Sequence, residues 1–280
     1  AEMRCDVPET LDLQLFDRFR NACAVTADRV TVSSPPAAAV RLAAVRPGAP
    51  APIGSGADAG KGPASRTMYL DLVPVLAGRA LVEVRVDGVP VMGSPMVAAI
   101  APGALSLGAS MTRGAVAACA AGAPASFVLE TRDAGGNRLT EGGMHFTAAL
   151  SGEGAGCGSG EVRDRNDGTY AVSYVREAAG PFDLTLSLPP GVAKEGEAST
   201  LTLKMVCLPG PTDVGRCTAE LPSEPPQAGA VAALKIQRFD RFGNAVAGAD
   251  SELRASGSGP GPMTTTVVDR EGGGVEVQFA

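Results

Sequence analysis

Six cysteines, one histidine and a recurring Asp/Asn pair are the residues of this 280-residue chain whose types could support chemistry. The cysteines stand at 5, 23, 119, 157, 207 and 217, too scattered for a C-x-x-C metal site, and the lone His145 cannot complete a Cys/His cluster. The simplest oxidised arrangement keeps bridges local: Cys5 with Cys23, Cys119 with Cys157, and Cys207 with Cys217, the last spanning a repeat junction. Reduced, buried thiols are the alternative, because free cysteine is a common small core residue. His145, between Met144 and Phe146, reads as the outward residue of an alternating strand. A Ser-His-Asp or Cys-His site would also need a nucleophile elbow or Gly-rich nucleophile motif, which the chain does not show. No enzyme, metal or cofactor is expected. Asp17, Asp133 and Asp240, each four residues before Asn21, Asn137 and Asn244, could suggest calcium. Calcium wants six to eight oxygens, however, and no D-x-D or D-x-N-x-D cluster accompanies them, so Asx turn capping is the expected role. The 154–160 Gly-rich loop lacks the Lys and following helix of a phosphate site. The charged run at 163–167 reads as a solvated loop.

The elements that hold these residues are strands. Residues 127–132 (FVLETR) alternate apolar and polar with period two, and Asp133-Ala134-Gly135-Gly136-Asn137 then forces a turn. A second alternating run spans 144–150. Asn166-Asp167-Gly168 turns the chain into a third, with Tyr170, Val172 and Tyr174 on one face. The strand-plus-turn occurs three times, starting at Leu11, Phe127 and Leu234, which are 116 and 107 residues apart. Each copy places Asp six and Asn ten residues after its opener. That spacing describes a tandem array of immunoglobulin-sized units. From Asn21 to Thr67 is 46 residues, against 32 from Asn137 to Thr169, so the first unit carries an insertion of about 14. Its Pro/Gly/Ala tract, from Pro35 to Ser65, shows no strand or helix period and is expected to be a mobile surface loop.

Composition excludes several classes. Hydrophobic residues make up 45% of the chain, but aromatics only 4% with no Trp, so Val, Leu and Ala must fill the cores, unlike an antibody domain built around a buried Trp. Gly (36) and Pro (22) separate short alternating runs, as in an all-β protein rich in turns. A net charge of −6 supplies no clustered cation for nucleic acid or anionic membrane. No run approaches the roughly 18 apolar residues of a membrane helix.

The run F-x-L-x-T-x-D-A-G-G-N, then G-G-x-x-F, N-D-G-T-Y-x-V-x-Y and Gly180-Pro181-Phe182-Asp183-Leu184, resembles a filamin-type immunoglobulin-like repeat. The match is close over residues 127–188 and weaker elsewhere. It implies an all-β fold of tandem immunoglobulin-like (filamin-type) antiparallel β-sandwiches, divided as 1–101 (its first strand expected to be missing), 102–208, and 209–280 (closing strands expected to be absent). It also implies a non-enzymatic protein-binding role, with a partner strand adding to a sheet edge, here 144–150 with Met144, His145, Thr147 and Ala149. Several such repeats occur in plant and green-algal gamete adhesion proteins. That similarity implies an extracellular adhesion ectodomain that binds a cell-surface protein and has its membrane anchor outside these residues. An intracellular scaffold or actin-crosslinking rod segment in the cytoplasm is the other reading. No N-x-S/T glycosylation acceptor is present.

Overall fold

A computed structural model describes residues 2–23, 25–35, 38–48, 67–152, 158–193, 196–222, 230–247, 254–258, 264–270 and 274–279. The described residues form strands and two 3-10 turns, at Ala27–Arg29 and Val214–Arg216. The chain is a tandem series of antiparallel immunoglobulin-like sandwiches.

The first sandwich contains β1 (Glu2–Arg4), β2 (Glu9–Phe16), β3 (Ala22–Cys23), β4 (Val30–Ser33), β5 (Val40–Pro47), β6 (Thr67–Pro74), β7 (Gly78–Val86), β8 (Val89–Pro90) and β9 (Met96–Ala101). One sheet runs β1-β9-β7-β4, with β8 on β7, and the other β3-β2-β6-β5. Alternation does the work: Met68, Leu70 and Leu72 of β6 face Val82 and Val84 of β7 across a core that leaves each at most 3% exposed. Fully burying such a side chain is worth about 1.5 to 3 kcal/mol. The second sandwich contains β10 (Leu105–Arg113), β11 (Ala118–Ala120), β12 (Pro124–Asp133), β13 (Thr147–Gly152), β14 (Ser159–Asp164), β15 (Thr169–Val175), β16 (Gly180–Ser187) and β17 (Thr200–Leu208). They follow one curled path, β10-β12-β15-β14-β13-β16-β17-β11, around a separate core that includes Tyr170, Val172 and Tyr174. Phe146 meets Tyr170 edge-on at 4.7 Å, a geometry worth roughly 0.5 to 1.5 kcal/mol beyond area burial. Beyond it, β18 (Thr218–Glu220), β19 (Ala232–Gln237), β20 (Thr265–Asp269) and β21 (Gly274–Phe279) form a sheet ordered β18-β19-β21-β20. That order repeats β10-β12-β15-β14 of the second sandwich.

Two local expectations are corrected. Residues 40–47, inside the tract expected to be a loop, form β5 along β6, and a register shift between Leu42 and Ala44 explains why their sequence hides its period of two. Residues 36–37 and 49–65 of that tract lie outside the described residues. Arg163 and Asp164 are the end of β14, paired with Ala171 and Tyr170, and the turn starts only after them. The short β1 is the counterpart of β11, since Glu2–Arg4 runs parallel to β9 as β11 does to β17, and not of β10, the strand that the first unit was expected to lack.

Candidate functional site

The three Asp/Asn turns have one internal geometry. The Asp backbone N–H donates to the Asn carbonyl at 2.9 Å in each, from Asp17 to Asn21, Asp133 to Asn137 and Asp240 to Asn244. In each the Asp Oδ1 accepts the Asn backbone N–H at 2.8 or 2.9 Å, and the Asn Nδ2 donates back to the Asp Oδ2. Short side chains that bond local backbone are why Asp and Asn occupy these positions. The fourth residue sits in the left-handed region, with φ of 67° at Arg20, 83° at Gly136 and 89° at Gly243. Backbone and amide donors bond both oxygens of each carboxylate, so these groups act as turn caps.

Two of the turns also reach the preceding sandwich. Asn137 Oδ1 accepts the Ala77 N–H at 3.0 Å and its Nδ2 donates to the Val75 carbonyl at 3.1 Å. Asn244 repeats both contacts one sandwich later, accepting from Ala179 N–H at 2.8 Å and donating to the Glu177 carbonyl at 2.7 Å. Ala77 and Ala179 each precede the Gly that opens β7 or β16, Gly78 and Gly180, so the two sockets are equivalent corners. The linkers correspond as well: in Pro102-Gly103 and Pro209-Gly210 the Gly N–H donates to the Asp Oδ2 at 2.7 and 2.8 Å. A Cβ at Gly103 would lie 3.2 Å from both Asp133 Oδ2 and the Cys5 carbonyl, which makes glycine the residue that fits there. Asp133 and Asp240 are both 0% exposed. Burial pushes the Asp240 carboxyl up, but hydrogen bonds from the Asn244 side chain and from the Gly210, Asn244 and Phe242 N–H groups outweigh it and leave the pKa lowered. At the second junction Phe242 also packs on the second core, against Gly122, where any Cβ would strike its ring. At the first junction Gly135 stands in that place, where a Cβ would lie 3.5 Å from the Val75 carbonyl.

The expected partner edge is not an edge. Strand β13 pairs with β16 over Thr147–Gly152 and with β14 at Ala148 and Ala149, so Ala149 is flanked on both sides. Of the other residues named there, Met144 precedes the strand and donates its N–H to the Tyr170 hydroxyl at 3.0 Å, His145 is exposed, and Thr147 stands opposite Ser187. Short local connections brought β14 back beside β13, which alternation alone could not reveal.

The local disulfide set is also corrected. Cys5, Cys23, Cys119, Cys207 and Cys217 are free thiols, and Cys157 lies outside the described residues. Cys5 is buried beneath the first junction, accepting from Asn137 Nδ2 at 3.4 Å, whereas Cys23 pairs with Leu15 near the other end of β2. Glu9 to Leu15 along β2 spans roughly 20 Å, which keeps the two apart. Cys207 points into the second core, while Cys217 caps the Val214–Arg216 turn and donates to the Asp213 carbonyl at 3.3 Å. Sequence reading missed the corners at Val75–Ala77 and Glu177–Ala179, since they bind through backbone atoms. The duplicated Pro-Gly before each junction was the available signal.

Comparison with known proteins bears on this architecture. Residues 106–189 match the Filamin/ABP280 repeat model, and that segment is a filamin-type repeat. No curated protein matches the chain. Among solved structures, the Escherichia coli adhesin FdeC aligns with a TM-score of 0.55 at 17% identity, covering 99% of this chain and 84% of that one. InvD of Yersinia pseudotuberculosis aligns at 0.42 and 19% identity, over 88% of this chain and 69% of that one. The Lin-41 filamin domain aligns at 0.27 and 18% identity, over 38% of this chain and 96% of that one.

Proposed function

We propose that this chain is a non-enzymatic, protein-binding stalk segment of a cell-surface adhesion ectodomain, organised as repeats at 1–101, 102–208 and 209–280. The observation that carries the reading is the duplicated latch, in which an Asx turn of one repeat grips the corner of the repeat before it through the same set of hydrogen bonds. Such coupling sets successive sandwiches end to end and limits bending, which suits holding a binding surface away from a cell. The alignment with a bacterial adhesin over nearly the whole chain supports the same use of the fold. Gamete or cell–cell adhesion is the specific setting proposed, and the ligand is a protein on an opposing surface. The free thiols favour the second reading, a scaffold rod in a reducing cytoplasm.

Antibody labelling and protease shaving of intact cells separate the two. Adhesion requires that the chain be labelled and cleaved without permeabilisation. Labelling only after permeabilisation would overturn the surface assignment. In solution, small-angle scattering should report a rod, since strands of nine residues make each of the first two sandwiches about 30 Å long.

A further inference from the structure

The second sandwich places two thiols side by side. Strand β11 runs parallel to β17 with Cys119 directly opposite Cys207. Neighbouring strands lie about 4.8 Å apart, within the Cα separation of roughly 4.4 to 6.8 Å that a disulfide spans, and residues paired in register project to the same face. Cys207 is 1% exposed and belongs to the second core, while Cys119 packs against that core from the edge strand. The first sandwich puts Met3 opposite Ile100 at the equivalent place, both buried apolar residues. An apolar pair is therefore enough for packing there, and the second sandwich carries two sulfurs instead.

We propose that Cys119 and Cys207 form an oxidisable pair that closes a covalent clasp between the edge strand β11 and the last strand, β17, of the second sandwich. The oxidant is a small-molecule disulfide such as oxidised glutathione. One glutathione sulfur is attacked by Cys119, the more exposed thiol, giving a mixed disulfide and one glutathione thiol. Cys207 Sγ then attacks Cys119 Sγ and releases the second glutathione. In total the two cysteines lose two electrons and two protons, and one glutathione disulfide becomes two thiols. Burial, and next the neighbouring Cys119, push the Cys207 thiol up to about 11, and its 1% exposure leaves Cys119 as the thiol that the oxidant reaches first. The clasp closes a loop holding β12 to β16, and long loops gain most from a cross-link. It also pins β11, a three-residue strand whose continuation, Ala121 and Gly122, supports Phe242 at the second junction.

The test uses the whole reduced chain, with no dependence on which compartment the protein occupies. Oxidised glutathione is added to the folded chain and, in a second arm, during refolding from denaturant. Each sample is quenched by alkylation and digested without reductant. Mass spectrometry should find one cross-linked peptide pair carrying Cys119 and Cys207, lost on adding reductant and absent from Cys119→Ser. Melting of the second sandwich should rise by about 10 °C on oxidation. Recovery of Cys119 and Cys207 separately alkylated in both arms, or of Cys207 linked to another cysteine, would overturn the proposal.

Discussion

The turn at Asp17–Asn21 and the turns at Asp133–Asn137 and Asp240–Asn244 share one internal geometry and differ in what lies outside it. Asp133 and Asp240 are completely buried, each tied to a Pro-Gly linker and followed by an Asn tied to a backbone corner. Asp17, Phe19 and Asn21 are exposed, and among the described residues the Asp17 carboxylate accepts only from Phe19 and Asn21 in its own turn. Phe19 is 69% exposed with Arg18 stacked on it at 4.6 Å, whereas its counterpart Phe242, under Arg241 at 4.5 Å, packs on the second core. A motif that only closes a turn in one place joins two sandwiches in the other two. Its energetic weight therefore comes from burial and from the partners around it.

Substitution is the most direct way to break this comparison. Asp133→Ala should leave the buried Gly103 and Asn137 N–H groups without an acceptor, at about 1 to 3 kcal/mol each, and so destabilise the junction by about 3 kcal/mol. Asp17→Ala should leave the urea midpoint where it was. The chain has no Trp, so tyrosine fluorescence can follow both: Tyr69 reports on the first sandwich, and Tyr170 and Tyr174 on the second. Equal effects from the two substitutions would mean that the turn itself, not the junction, carries the energy. Acid tests the second junction. The folded pKa of Asp240 lies below its ordinary value of 3.8, so its contribution is intact above that pH and is lost as pH falls through the lowered value. Scattering should show the second junction loosening below about pH 4. A rod whose dimensions are unchanged to pH 2 would contradict this role for Asp240.

Asn244→Ala removes two contacts to the preceding corner and should cost about 1 kcal/mol. Amide exchange at Ala179 is the measurement, and Asn21→Ala should change exchange only within its own turn. The smallest effect is expected at Arg20, whose φ of 67° is left-handed where the other two turns have Gly. Arg20→Gly should stabilise the first sandwich by up to about 1 kcal/mol, seen as a small rise in its melting temperature. A fall would show that the Arg20 side chain makes a contribution larger than its backbone strain.

Strands with clean alternation, such as β6, β12 and β15, were legible in the residues alone, because a period of two commits every second side chain to one face and burial follows. The likeness of the three Asp/Asn turns was legible too, since their hydrogen bonds close within five residues. What those turns touch came from the folded arrangement: the corners at Val75–Ala77 and Glu177–Ala179 offer backbone N–H and C=O groups, which no motif records. That arrangement likewise decided that β5 is a strand, because a register shift hides its period, and that β13 is paired on both sides, because strand neighbours depend on how connections return. The cysteines divide the same way. Their count was legible, but Cys119 meets Cys207 across a parallel pairing between the ends of one sandwich, a contact that sequence distance disguises and sheet closure creates.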